Sequence, residues 1–261
     1  MSAFRLLLAA TLAVALTFLT LPVVAIFVDT SPGDLIGSLG DGAARDALLL
    51  SLETTAIAVA VIVAVGTPAA WLLATRAFRG KAVVVTLVEL PLVLPPAVAG
   101  IGLLASVGPQ GILGGVVGDS LVLQTAGVVV ALTFVAAPFY LRQAQAAFAS
   151  IDPALLEASR TLGAGEARTF GRVAVPIAMP GLAAGLALAW GRALGEFGAT
   201  LMFAGSFRGV TQTVPLAIYD QFATDFPAAL ALSAVLVCVS AALLLSVKLV
   251  TGAGPLGVAA R

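Results

Sequence analysis

The residues that could do chemistry are few, and they lie in two places. The chain has no histidine and one cysteine, Cys238, set in an apolar run. A histidine-based triad is therefore impossible, an internal disulfide is excluded, and a metal or redox centre is not expected. Arg192 and Glu196 stand four apart in a stretch of small apolar residues, where unpaired charges are costly. They are expected to form a mutual ion pair, with Arg192 as the alternative positive site for an anion. The segment from Asp152 to Pro176 holds Asp152, Glu157, Arg160, Glu166, Arg168 and Arg172 between long apolar runs on both sides. A polar island between apolar stretches is where a soluble partner could dock. No catalytic constellation stands out, and no enzyme is expected.

The surroundings set the class. Of the 261 residues, 61% are hydrophobic and 10% charged, against roughly 25% charged in a soluble domain. Charge cannot cover a water-facing surface, so the chain is expected to be an all-α integral membrane protein forming a single transmembrane domain, residues 1–261. Net charge is zero, and no basic footprint for nucleic acid is present.

About 20 apolar residues cross the hydrocarbon. On that scale six spans are expected, at about 4–28, 47–74, 82–104, 121–141, 175–199 and 226–250. The first is longer than the apolar core of a signal peptide and lacks a clear cleavage site, so it is read as a retained span. The third contains Pro91, Pro95 and Pro96, which remove backbone donors and should kink or break it. Glu89, also in the third span, is read as an interface residue.

Loop charges orient the spans. One set of loops and termini holds Arg5, Arg76, Arg79, Lys81, Arg142, Arg160, Arg168, Arg172, Lys248 and Arg261; the other holds only Arg45 and Arg208. The second set carries Asp29, Asp34, Asp41, Asp46, Asp119, Asp220 and Asp225 instead. Both termini and the polar island are therefore expected in the cytoplasm, in a multi-pass protein of the inner membrane.

Within the island, Asp152-Pro153 reads as a helix start, an acceptor for free amides followed by the residue that forfeits nothing at the first helical position. Gly163 can take the left-handed conformation that ends a helix. Leu155, Leu156 and Leu162 can share an apolar stripe, and Glu157 can pair with Arg160. A second short helix, about Gly165 to Arg172, completes a helix–turn–helix between the fourth and fifth spans. An amphipathic hairpin lying on the lipid headgroups is the plainer alternative.

The spacing Glu157-Ala158-Ser159, three residues, Gly163, nine residues, Val173-Ala174-Val175-Pro176 resembles the EAA signature of ABC importer permeases of type I, EAA-x3-G-x9-I-x-L-P. Ser159, Val173 and Val175 are small or aliphatic replacements within that pattern. The resemblance implies that this helix fits a cleft on a separate ATPase subunit, with Asp152, Leu155, Glu157, Ala158, Ser159, Arg160, Gly163, Val173 and Pro176 as the coupling residues. It further implies a homodimer of this chain, two ABC ATPase subunits carrying ATP and Mg, and an extracytoplasmic oxyanion-binding protein. No cofactor is expected on this chain, which has no G-x4-G-K-[ST] stretch.

Leu90–Ala97 (LPLVLPPA), Arg160–Gly165 (RTLGAG) and Gly191–Gly205 (GRALGEFGATLMFAG) resemble the molybdate-type permeases, and the resemblance runs from about Leu50 onward. Segments like GRALGEFG also occur in sulfate/thiosulfate permeases, so molybdate, with tungstate inseparable, is the first expectation and sulfate the next. A secondary anion transporter without an ATPase is the rival from another class. Small residues Gly181, Gly185, Gly191 and Gly195 let helices approach closely, and Arg192, Glu196, Thr200 and Ser206 are the candidates for the translocation path.

Overall fold

The computed structural model describes residues 3–31, 33, 37, 40 and 42–250. Asp34, Asp41 and Arg261, together with the side chains of Asp119 and Lys248, lie outside the described residues, as does the placement of the C-terminus.

Apolar composition dictates long helices, because inside a bilayer only internal hydrogen bonding satisfies the backbone. The described residues are helical with no strand. Among the described residues, five helices or continuous helical stretches are long and apolar enough to span, with a sixth where a bent helix pair is counted as one span. In order, α1 is Ala3–Asp29, α2 Gly42–Thr75, α3 Lys81–Val93, α4 Pro96–Val107, α5 Gly114–Leu121 and α6 Thr125–Ala149. Two short helices follow, α7 Pro153–Thr161 and α8 Glu166–Thr169, then a π-helical turn Phe170–Ala174. The chain ends in α9 Val175–Leu194, α10 Gly198–Ala204, α11 Val214–Phe222 and α12 Phe226–Val250.

The core forms where α2, α6 and α9 pack together. On α2 the buried positions Ala44, Ala47, Leu50, Ser51, Thr54, Thr55, Ala58, Val59, Ile62, Gly66, Ala70 and Leu73 recur at helical spacing, so one stripe faces the bundle. Hydroxyls in that stripe are satisfied locally: Thr54 donates to the Leu50 carbonyl and Thr55 to that of Ser51. Small residues set the closeness of α9 to α6. A methyl on Gly181 would collide with Ala147, and one on Gly185 would come 3.1 Å from Gln143 Cβ. Those two glycines pack within the chain, whereas Gly191 faces open space in an apolar groove of about 430 Å³ between α9 and α12.

The third span breaks as the prolines require. Leu94, preceding Pro95, is extended (φ −70°, ψ 132°), the conformation that a following proline imposes. Pro96 opens α4, and the chain bends by 119° between the two halves. The helix at the expected fourth span, 121–141, is Thr125–Ala149: Leu121 belongs to α5, and Arg142 is accommodated inside the helix by Glu89, 3.3 Å away. The fifth apolar helix stops at Leu194, not Ala199, and is continuous at its other end with α8 through the π-helical turn. No residue over 4–29 of α1 is buried, and the helix lies against α12.

Candidate functional site

The island folds as its terminal residues dictate. Asp152 caps α7, its Oδ1 accepting the Ala154 amide at 2.9 Å, with Pro153 next. Gly163 closes the element at φ +80°, a backbone state that costs a residue with a Cβ roughly 1–2 kcal/mol. Ser159, where the signature has alanine, is half-buried and shares a 3.0 Å hydrogen bond with Thr169, the buried residue that ends α8. The two short helices are thus tied by their hydroxyls.

The three leucines of the expected stripe differ in burial. Leu155 and Leu162 are exposed, Leu162 at 87%, and only Leu156 packs against the core. Glu157, Ala158 and Arg160 are exposed, Val173 is half-buried in the π-helical turn, and exposed Pro176 stands in the first turn of α9. No ion pair joins Glu157 to Arg160 among the described residues. Glu166 instead pairs with Arg76, 90 positions away, just beyond α2. Arg160 lines the same small pocket with Trp71, Thr75, Arg76, Glu166 and Thr169. Beneath it Trp71, Phe148 and Phe170 form an aromatic triad with centroids 5.3–6.1 Å apart. Arg76 was legible only as part of a basic turn; its partner was not, because nothing local links the two.

The second group of residues lies at a helix break. Arg192 and Glu196 form the expected ion pair at 2.5 Å, with the Glu196 side chain 1% exposed. The same carboxylate accepts the Ala199 amide at 2.7 Å, so it caps the first turn of α10 while neutralising Arg192. This break is pressed onto the proline break. A methyl on Gly198 would come 2.8 Å from Pro96 Cβ, and one on Gly100 would come 2.8 Å from the Ala199 carbonyl oxygen. Thr200 is fully buried, and its hydroxyl has no partner. Ser206 is half-buried. The four candidates thus follow one another along the break and the chain leaving α10.

After α10, Gly205 turns the chain at φ +72°, ψ −163°, a region essentially reserved for glycine. The loop that follows is clamped down. Thr211 Oγ1 accepts the Phe207 amide, Thr125 donates to the Val210 carbonyl, and Ser51 on α2 accepts the buried Val214 amide at 2.8 Å. Thr211, Gln212 and Thr213 are buried, a polar cluster that the sequence did not single out.

Comparison with known proteins places this architecture. Residues 66–253 match the family model described as binding-protein-dependent transport system inner membrane component. The molybdenum transport system permease protein ModB of Mycobacterium tuberculosis is 40% identical over 235 residues, 89% of each chain. That of Escherichia coli K12 is 39% identical over 182 residues, 68% of this chain and 80% of that relative. Among solved structures, a bacterial alginate ABC transporter in complex with its alginate pentasaccharide-bound periplasmic protein superposes with a TM-score of 0.75. It is 18% identical, over 95% of this chain and 93% of that one, a likeness of fold. With 72 of every 100 residues inside the family match and near-full-length relatives at 40% identity, the chain belongs to the family of binding-protein-dependent transport system inner membrane components.

Proposed function

We propose that this chain is the permease subunit of a type I ABC importer that carries molybdate, with tungstate accepted alongside it as a tetrahedral dianion of similar size. The observation that carries the reading is the 40% identity, over nine-tenths of both chains, to a protein named as a molybdenum permease. The capped, glycine-terminated helix α7, with the EAA-like spacing, supports the coupling half of the reading.

The working unit is two copies of this chain, two ATPase subunits that hold ATP and Mg, and an extracytoplasmic oxyanion-binding protein. Asp152, Leu155, Glu157, Ala158, Ser159, Arg160, Gly163, Val173 and Pro176 form the coupling element. The exposed faces of Leu155, Glu157 and Leu162 supply mixed apolar and charged contacts for the ATPase cleft. Closure of the ATPases on ATP draws the α7 helices together and tilts α9, which continues from this element without a break. Both termini and α7 face the cytoplasm, from the ten-to-two distribution of basic residues between the two sets of loops.

The path runs past Arg192, Glu196, Thr200 and Ser206. Because Glu196 neutralises Arg192, this stretch offers a dianion no strong trap. Hydroxyls such as Thr200 then serve a transient ion without holding it, as transport requires. Selection of the oxyanion falls mainly to the binding protein. The test is ATP-dependent molybdate uptake by the assembled complex in proteoliposomes, with tungstate and sulfate as competitors. Tungstate should compete and sulfate should not; uptake driven by an ion gradient without ATP would refute the reading.

A further inference from the structure

We infer that α2 is a rigid strut which carries the motion of the coupling element to the loop at the opposite end of the bundle, in parallel with the direct route into α9. The inference rests on the coupling role proposed above for α7.

At one end, the strut is docked on the coupling element by an ion pair and an aromatic contact. Arg76, still bonded through its amide to the Leu72 carbonyl at 3.0 Å, pairs with Glu166 on α8. Trp71 stacks edge-on against Phe148 of α6 and tilts against Phe170 of the π-helical turn. Ser159 of α7 bonds Thr169 of α8, so a push on α7 reaches α8 and hence Arg76 without passing along α9.

At the other end, Ser51 Oγ accepts the Val214 amide at 2.8 Å, and Ala44 and Ala47 pack with Val214 and Ala217. The buried Thr211–Val214 segment therefore rests on α2. From Ser51 to Arg76 a helix rises roughly 37 Å, at 1.5 Å per residue.

A strut must not flex, and α2 contains Pro68, which removes one helical hydrogen bond. That point is braced. Tyr140, 2% exposed, shares a 2.6 Å hydrogen bond with Thr67, and its ring would lie 3.0 Å from a methyl on Gly66. Stiffness at the proline comes from α6.

The test uses the full complex in proteoliposomes and reads molybdate imported per ATP hydrolysed. Arg76→Glu and Glu166→Arg should each lower that ratio about two- to five-fold, the range an exposed pair supports, and the double reversal should restore it. At the far end, Ser51→Ala should lower the stimulation of ATP hydrolysis by the loaded binding protein. Because independent sites this far apart add, combining Ser51→Ala with Glu166→Arg should show a clear departure from additivity. Glu166→Gln, which keeps shape and removes charge, guards against a reversal that fails to assemble, and should itself lower the ratio. Wild-type ratios in the single variants, a double reversal as impaired as its parents, or strict additivity with Ser51→Ala would each overturn the strut. A Gly163→Pro complex that couples normally would instead remove the coupling reading beneath it.

Discussion

A buried carboxylate has to be held twice to be tolerable, and Glu196 is: by Arg192 on one oxygen and by the Ala199 amide on the other. Removing one partner of a buried pair leaves an uncompensated charge and costs about 3–5 kcal/mol, while removing both charges is often nearly neutral. Arg192→Met should therefore lower the thermal unfolding midpoint of the detergent-purified chain much more than the Arg192→Met/Glu196→Gln double variant. Equal losses would mean the pair is not the stabilising feature. The four-residue spacing made this pair legible. The capping role was not, because it exists only once the helix has ended at Leu194 and restarted at Gly198. Arg76 and Glu166 show the converse, charges readable one by one whose pairing only the tertiary fold reveals.

Helix ends and breaks were legible where a residue type forces them. Asp152-Pro153 starts a helix, Gly163 ends one, and Pro95-Pro96 breaks a span, all as the local chemistry requires. The 119° angle between the halves was not readable, since it depends on how α10 seats its glycine against Pro96. Nor was the span register of α6, since a charged, glutamine-bearing turn can remain helical when Glu89 and the close approach of Gly185 receive it. On α7 the leucines divide, Leu155 and Leu162 exposed and Leu156 against the core: periodicity shows that one face differs from the other, not whether the chain itself covers it. Two of the glycines with positive φ, Gly163 and Gly205, make a graded prediction. Gly163→Ala meets open space and strains only the backbone, whereas Gly205→Ala also brings a methyl 2.9 Å from the Phe207 ring. Thermal unfolding should show Gly205→Ala as the more destabilising by at least about 1 kcal/mol; the reverse order would place the strain elsewhere.

At the scale of the molecule, composition alone dictated a helical bundle in a membrane, and loop charge gave a sidedness that can be measured. With Cys238 replaced, a single cysteine at Leu162, 87% exposed, should react with a membrane-impermeant thiol reagent only from the cytoplasmic side, and assembly with the ATPase should protect it. Labelling from outside would invert the topology. What composition could not convey is that α2 touches both α8, through Arg76 just beyond its end, and the first residue of α11, through Ser51. The central claim is that α7 couples ATP hydrolysis to oxyanion import, and one measurement bears on it most directly. Molybdate uptake and ATP hydrolysis should be followed together in proteoliposomes holding the assembled complex, for the wild type and for Gly163→Pro. The wild type should show ATP-dependent uptake, and the variant at least a tenfold loss of uptake per ATP, about 1.4 kcal/mol of coupling. Undiminished uptake per ATP by Gly163→Pro, or wild-type uptake without ATP, would contradict the claim.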